Sequence, residues 1–226
     1  MKIMRILSSF LLLLLFGNGQ AFSQNSNFDS LLLEIQKLPA DSVKLVELIE
    51  IGKAFKKTDS EKGLEVYKVA LSVAEKLNIQ EQKAKIEYEI ARLYIVLAQY
   101  DTAIFHAKKA EEIYKSLKAE KELSRVYNLF LYSYKREGDF EKANEFAFKY
   151  LEVNEQLNDS KGTTTALGKI GSLFYAMNKP EEGLEYAHRS YELARAQNLP
   201  NQCAYAAQLI ADLHMKLGQD KEAIEF

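Results

Sequence analysis

Two kinds of apolar stripe alternate along most of the chain, each at helical spacing and each ended by a short turn. The first is Ile90, Ala91, Leu93 and Tyr94, then Phe130, Leu131 and Tyr134, then Ile170, Gly171, Leu173 and Phe174. The second follows the turn, as Ile104, Ala107, Ala110, Ile113 and Leu117, and as Leu184, Ala187, Tyr191, Leu193 and Ala194. Steps of three and four put such residues on one side of an α-helix, so each unit is two amphipathic helices joined tightly. Helix A is predicted over 42–57, 81–97, 121–137, 161–177 and 201–217, and helix B over 60–77, 101–117, 141–157 and 181–197.

The unit repeats every 40 residues, which is plainest in the turn column Thr58, Ala98, Gly138, Asn178 and Gly218. Five positions later comes a small residue (Gly63, Ala103, Ala143, Gly183, Ala223), then an aliphatic one in four of five copies, with Asn144 the exception. Val66, His106, Phe146, Tyr186 and Phe226 complete the register. A unit this short cannot bury its own apolar face and must stack on copies of itself. The expected fold is an all-α solenoid of antiparallel helix pairs, with repeats at 41–80, 81–120, 121–160 and 161–200 and an incomplete fifth at 201–226. Repeat one has a turn one residue shorter, because Ile51, Gly52 and Phe55 match Ile170, Gly171 and Phe174 at a spacing of 119. Asp59, Asp139 and Asp220 stand where an N-cap acceptor is wanted, and Pro180 where a first-turn proline costs no hydrogen bond. Asn78, Asn158 and Asn198 close helix B, where a left-handed residue is tolerated.

The small column Gly63, Ala103, Ala143 and Gly183 is expected to face Gly52, Ala91, Gly171 and Ala211 on helix A, letting two backbones approach closely. With the five copies in phase, residues 41–226 resemble the tetratricopeptide repeat in a long version of its usual period of about 34 residues. The pattern departs from that motif in having no Trp, in Leu131 at a position that is usually small, and in lacking the closing proline; these bear on the angle between repeats. The resemblance implies a right-handed solenoid that binds a peptide or partner helix along a concave surface lined by helix A, without catalysis. Carried over by phase, the groove positions are Lys53 and Lys56, then Lys85, Tyr88, Arg92 and Ile95, then Arg125, Asn128, Tyr132 and Lys135. Thr165, Gly168, Ser172 and Tyr175 follow, then Tyr205, Gln208, Asp212 and Met215.

Both ends carry further signals. Lys2 and Arg5 precede the apolar run Ile6 to Phe16, and Ala21 and Ser23 are small residues before Gln24, so residues 1–23 read as a cleavable secretory signal peptide. The apolar run is short for a membrane span, which needs about 20 residues. Within 24–40, residues 27–38 form one more short helix ended by Pro39, expected to cap the first repeat. At the other end Ile224 and Phe226 open a helix B in register, and the array is expected to continue beyond them, leaving both without packing partners in this chain.

The chain has 30 basic and 32 acidic residues, and removal of the signal segment takes two basic residues and no acids, leaving 28 against 32, or −4. Nothing in this balance points to nucleic acid or to a membrane surface, unless a membrane helix follows the array. The lone Cys203 cannot form an internal disulfide. Residues 162–170 superficially resemble a phosphate-binding loop, but five residues separate the glycines and Ile170 stands where a hydroxyl would hold Mg²⁺. His106, His188 and His214 are scattered without metal-ligand spacing, and Glu111, Glu112, Glu181 and Glu182 read as solvated faces. No catalytic residue, metal site or cofactor is expected.

Function is therefore sought in binding. The first three repeats are basic along the groove line although the mature chain is acidic, so an acidic protein or peptide partner is expected. Signal peptide and long-period repeats together also resemble the exported input region of bacterial sensor histidine kinases or related regulators. An envelope assembly scaffold is the third reading. All three place the array outside the cytoplasm, in the periplasm or cell envelope.

Overall fold

The computed structural model describes Phe28, Ser30 and residues 32–226. Residues 1–23, expected to be a signal peptide, and the expected cleavage site lie outside the described residues. Within them the elements are α1 (Ser42–Thr58), α2 (Ser60–Lys76), α3 (Gln80–Val96), α4 (Tyr100–Ser116), α5 (Glu120–Glu137), α6 (Phe140–Gln156), α7 (Ser160–Ala176), α8 (Pro180–Ala196), α9 (Pro200–Lys216) and α10 (Asp220–Ile224). Odd numbers are the A helices and even numbers the B helices. Each packs on the helix before and after it, and α3 also touches α5 as α7 touches α9. The A helices thus converge, forming the inner layer of a curved array.

The joints explain the regularity. A residue with positive φ ends each helix from α2 to α9: Asn78, Ala98, Lys118, Gly138, Asn158, Asn178, Asn198 and Gly218, at 50–82°. The next residue's N–H then reaches back over the last turn, as in Ile79 N–H to the Ala74 carbonyl at 3.1 Å and Gln99 N–H to Tyr94 at 2.8 Å. This satisfies carbonyls that a helix end would otherwise leave open and turns the chain back on itself. The α1/α2 joint is the shortened one. There Thr58 stays helical, and Asp59 alone is both the C-cap of α1 and the N-cap of α2.

Asp59 and Asp139 accept from the N–H groups of Lys62 and Lys142, as expected, and Asp41 and Asp159 cap α1 and α7 in the same way. Asp220 does not. Most helices after the second begin one residue earlier than the apolar pattern suggests, so Asp220 is the first residue of α10 and Gln219 is its cap, without a side-chain bond. Residues 162–170 lie inside α7 and form no loop.

The small column does bring backbones together. A Cβ on Gly171 would sit 3.0 Å from the Gly183 carbonyl oxygen, and one on Gly63 would sit 3.1 Å from the Lys56 nitrogen. Ala103 and Ala143 are fully buried at the same crossings. Gly52 differs from expectation: its nearest neighbour is the ring of Tyr67, 2.9 Å from where its Cβ would be. Repeat one carries Tyr67 where repeat four has Ala187, and the absent side chain at Gly52 makes room for that ring.

At the N-terminal edge, residues 32–37 are helical. Phe28 packs edge-on against Phe55 at 5.0 Å, and the buried Lys44 ammonium donates to the carbonyls of Gln36 and Leu38. At the other edge Ile224 is 85% exposed, whereas Phe226, contrary to expectation, rests edge-on against His188 and Tyr191, each at 5.5 Å. No helix among the described residues is long and apolar enough to cross a membrane.

Gly171→Val forces α7 and α8 apart against rigid backbone and should cost about 1–3 kcal/mol in urea denaturation; an unchanged midpoint contradicts the crossing described. A second outcome concerns pH. Burial, and then the neighbouring His214, hold His188 below its ordinary 6.5, with Glu192 opposing weakly. The folded array therefore binds fewer protons than the unfolded chain, and this contribution is present above about pH 6.5 and lost as pH falls below it. His188→Phe should flatten the acid limb of a stability–pH profile over that range; an identical slope contradicts the assignment.

Candidate functional site

A depression of about 380 Å³ opens on the inner layer where α1, α3 and α5 converge. Its walls carry Glu50 and Lys53 from α1, Lys85, Tyr88 and Glu89 from α3, and Glu122 and Arg125 from α5. Tyr67 of α2 and Tyr114 of α4 reach through from the outer layer to line it as well. The Tyr67 ring is 1% exposed, and its buried hydroxyl has no hydrogen-bond partner. Burial foremost, and then Glu89 and Glu50, push that phenol well above its ordinary range; burial and Glu122 do the same to Tyr114. Both rings therefore stay neutral, with Tyr67 offering an unused donor.

Tyr88 is the centre of the charged wall. The Arg125 guanidinium lies 4.8 Å from its ring centroid and that of Arg92 lies 5.8 Å away, a cation–π arrangement that holds both arginines at the surface. Most of the expected basic line is already paired. Lys53 meets Glu50 at 2.6 Å, Lys85 meets Glu81 at 2.5 Å, and Glu89 bridges Lys56 at 2.7 Å and Arg92 at 3.3 Å. Of the three cations that line the depression, Arg125 alone has no ion pair among the described residues, so its charge is left for a ligand. The three cations and three carboxylates that line the depression balance.

The structure brings Lys53, Lys85, Tyr88 and Arg125 together, with Arg92 at their edge. The other expected positions lie farther along. Asn128 has a buried side-chain oxygen without a partner. Tyr132 is exposed and tilted against Tyr100 at 6.4 Å. Lys135 donates to both the carbonyl and the hydroxyl of Ser172, at 2.9 and 2.7 Å. Tyr175 lies under the Lys216 ammonium, which is 4.3 Å from its ring and donates to its carbonyl. Gln208 is exposed and Asp212 half-buried on α9, away from the depression.

One polar cluster had no counterpart in the sequence reading. Glu87 is fully buried, and its carboxylate shares a 2.5 Å hydrogen bond with His106 Nδ1, while Lys109 approaches its other oxygen at 3.7 Å. His106 also stacks on Tyr94 at 5.4 Å, so this cluster ties α3 to α4. Among the described residues no group of three His, Cys, Asp or Glu is placed to hold a metal ion.

Comparison with known proteins bears on this architecture. No protein-family model matches the chain. A curated relative, tetratricopeptide repeat protein 29 of Trypanosoma brucei brucei, is 24% identical over 128 residues, 57% of this chain and 26% of that protein. The Rap conjugation gene regulator of plasmid pLS20, solved in complex with the Phr* peptide, superposes with a TM-score of 0.65 at 19% identity, covering 81% of this chain and 51% of its own. A signal transduction ATPase from Pyrococcus horikoshii with a tetratricopeptide repeat sensor gives a TM-score of 0.72 at 20% identity, covering 88% and 30%. The fold is a tetratricopeptide-type α-solenoid. The chain spans about a quarter of the curated relative's length and about half or less of these two structures.

In this solenoid the Lys56–Glu89 bridge is the brace between α1 and α3, with both side chains about one-fifth exposed. Glu89→Gln should cost about 1 kcal/mol and make stability less sensitive to salt. Chemical denaturation at low and high ionic strength checks this; a variant as stable and as salt-sensitive as the parent contradicts the brace.

Proposed function

We propose that the array is an exported protein–protein interaction module that takes an extended segment of a partner protein along its inner face. The observation that carries this reading is the depression between α1, α3 and α5, with an unpaired Arg125, a cation-flanked Tyr88 and an orphaned Tyr67 hydroxyl. Such a surface offers donors and an aromatic face in a concave setting, which is how binding sites fix orientation. The complex of a similarly folded Rap regulator with a peptide supports the same use of the fold. Arg125 favours an acidic residue in the bound segment. The signal-like pattern of Lys2, Arg5 and the apolar run Ile6 to Phe16 supports an address in the periplasm or cell envelope, and no catalytic step is assigned to these residues.

A second reading is sensory: the array as the input region of an exported histidine kinase or regulator. What favours it is the likeness to an array described as a tetratricopeptide repeat sensor within a signal transduction ATPase. An envelope assembly scaffold would use the same groove for a different purpose.

Selection from a random-peptide phage library tests the shared claim. The wild-type array should enrich a consensus containing an acidic residue, and Arg125→Glu with Tyr88→Ala should weaken the selected peptide by about tenfold or more, as loss of a central anchor does, with helical circular dichroism intact. Selection of no consensus, or equal binding to the double variant, contradicts the proposal.

A further inference from the structure

The brace between α1 and α3 has an equivalent at each later joint of the inner layer, and the residues there differ. Lys56 and Glu89 form the ion pair at 2.7 Å. Allowing for the residue missing from the first turn, the corresponding pairs are Ile95 and Leu129 at the α3/α5 joint, Lys135 and Lys169 at α5/α7, and Tyr175 and Leu209 at α7/α9. Three joints therefore put an ion pair or two apolar-bodied side chains in this place. The α5/α7 joint puts two lysines there.

Those lysines are held in an unfavourable position. Lys135 turns to Ser172 of α7, using its carbonyl and hydroxyl as acceptors. Lys169 sits one turn before Ser172 on the same helix, partly buried, and among the described residues it has neither an ion pair nor a hydrogen-bond acceptor for its ammonium. Burial holds both ammonium groups below the usual lysine range, and for Lys135 the charges of Lys169 and Arg136 add to it. A carboxylate entering here would relieve burial and mutual repulsion together, since an opposite charge restores the charged form of a desolvated cation.

We propose that the α5/α7 joint is a carboxylate subsite of the groove, in which an acidic side chain of a bound segment takes, between Lys135 and Lys169, the place that Glu89 holds at the α1/α3 joint. This rests on the reading of the inner face as a peptide-binding surface. It extends that reading by placing a second acidic residue of the ligand farther along α5 than the one facing Arg125, where α5 meets α7. A carboxylate is favoured over phosphate because the array's own occupant of the equivalent place is a carboxylate held by one lysine and one arginine.

The probe is amidated tetraglutamate, followed by NMR of the array with ¹³C-methylated lysines, which keep their charge. Saturable movement of the Lys135 and Lys169 signals is expected, weakened by added salt. Lys169→Leu, which installs the residue found at 129 and 209, should keep the fold, abolish the response at Lys135 and weaken the probe by about tenfold or more. Lys169→Glu rebuilds the brace from within and should raise the thermal midpoint while removing probe binding. Uniform movement of all lysines, silence at Lys135 and Lys169, or an equal response to inorganic phosphate overturns the proposal. The assay reads the subsite directly, so its failure is separable from that of the groove. A peptide that depends on Arg125 alongside silent lysines condemns the subsite alone. A response at Lys135 and Lys169 without any selected peptide supports the subsite and removes the wider groove.

Discussion

A left-handed residue after each helix from α2 to α9 is the constraint on which the array depends. It lets the following amide reach back to a carbonyl of the last turn, which closes the helix and reverses the chain within a two- or three-residue joint. Helices of seventeen or eighteen residues separated by such joints keep a period of twenty, and a pair of them keeps forty. Ala98 and Lys118 adopt this conformation without a glycine's freedom, at a cost of about 1–2 kcal/mol each. That cost is tolerated because the joint satisfies carbonyls and sets the register in which Gly171 meets Gly183.

Register in turn decides what faces inward. Close crossings within each pair draw the A helices together, and the polar residues on their converging faces are forced into shared space. Many resolve this by pairing, as Lys56 does with Glu89. Some do not: the Tyr67 hydroxyl and the Asn128 side-chain oxygen lack partners, Arg125 lacks an acid, and Lys135 and Lys169 share a joint without one. Unmet hydrogen-bonding and charge capacity is costly in a folded protein unless something else meets it. Where it opens onto the inner layer, as at Arg125, Tyr67 and the Lys135–Lys169 joint, it is the physical reason to place binding there.

How much of this could be read from residues alone follows from the range of the interactions. The helix pairs, the period and the shortened first turn were legible because each rests on contacts a few residues apart. Asp220 was misassigned by one position because the apolar stripe does not report where a joint's last residue becomes the first of the next helix. Gly52 was matched with Gly63 by analogy with the fourth repeat, and a single large residue, Tyr67, changed its neighbour. At the groove, reading one face of the A helices found Lys53, Lys85, Tyr88 and Arg125 but counted cations without Glu50, Glu81 and Glu89 beside them. Tyr67 and Tyr114 were missed because they come from the outer helices. Glu87 and His106, nineteen positions apart on different helices, give no local signal beyond a glutamate beside Ile86 in a core stripe, a position that requires a partner.

The central claim is that partners are held on the inner layer and not on the outer one. Replacing Tyr88 on α3, or Phe105 on α4, with a photo-activatable phenylalanine analogue compares the two faces in one protein; Phe105 is 55% exposed, more open to capture than the half-buried Tyr88. With a peptide selected by the array, irradiation should give a cross-linked product from position 88 and none from position 105. Cross-linking from position 105 alone, or equally from both, would contradict the account.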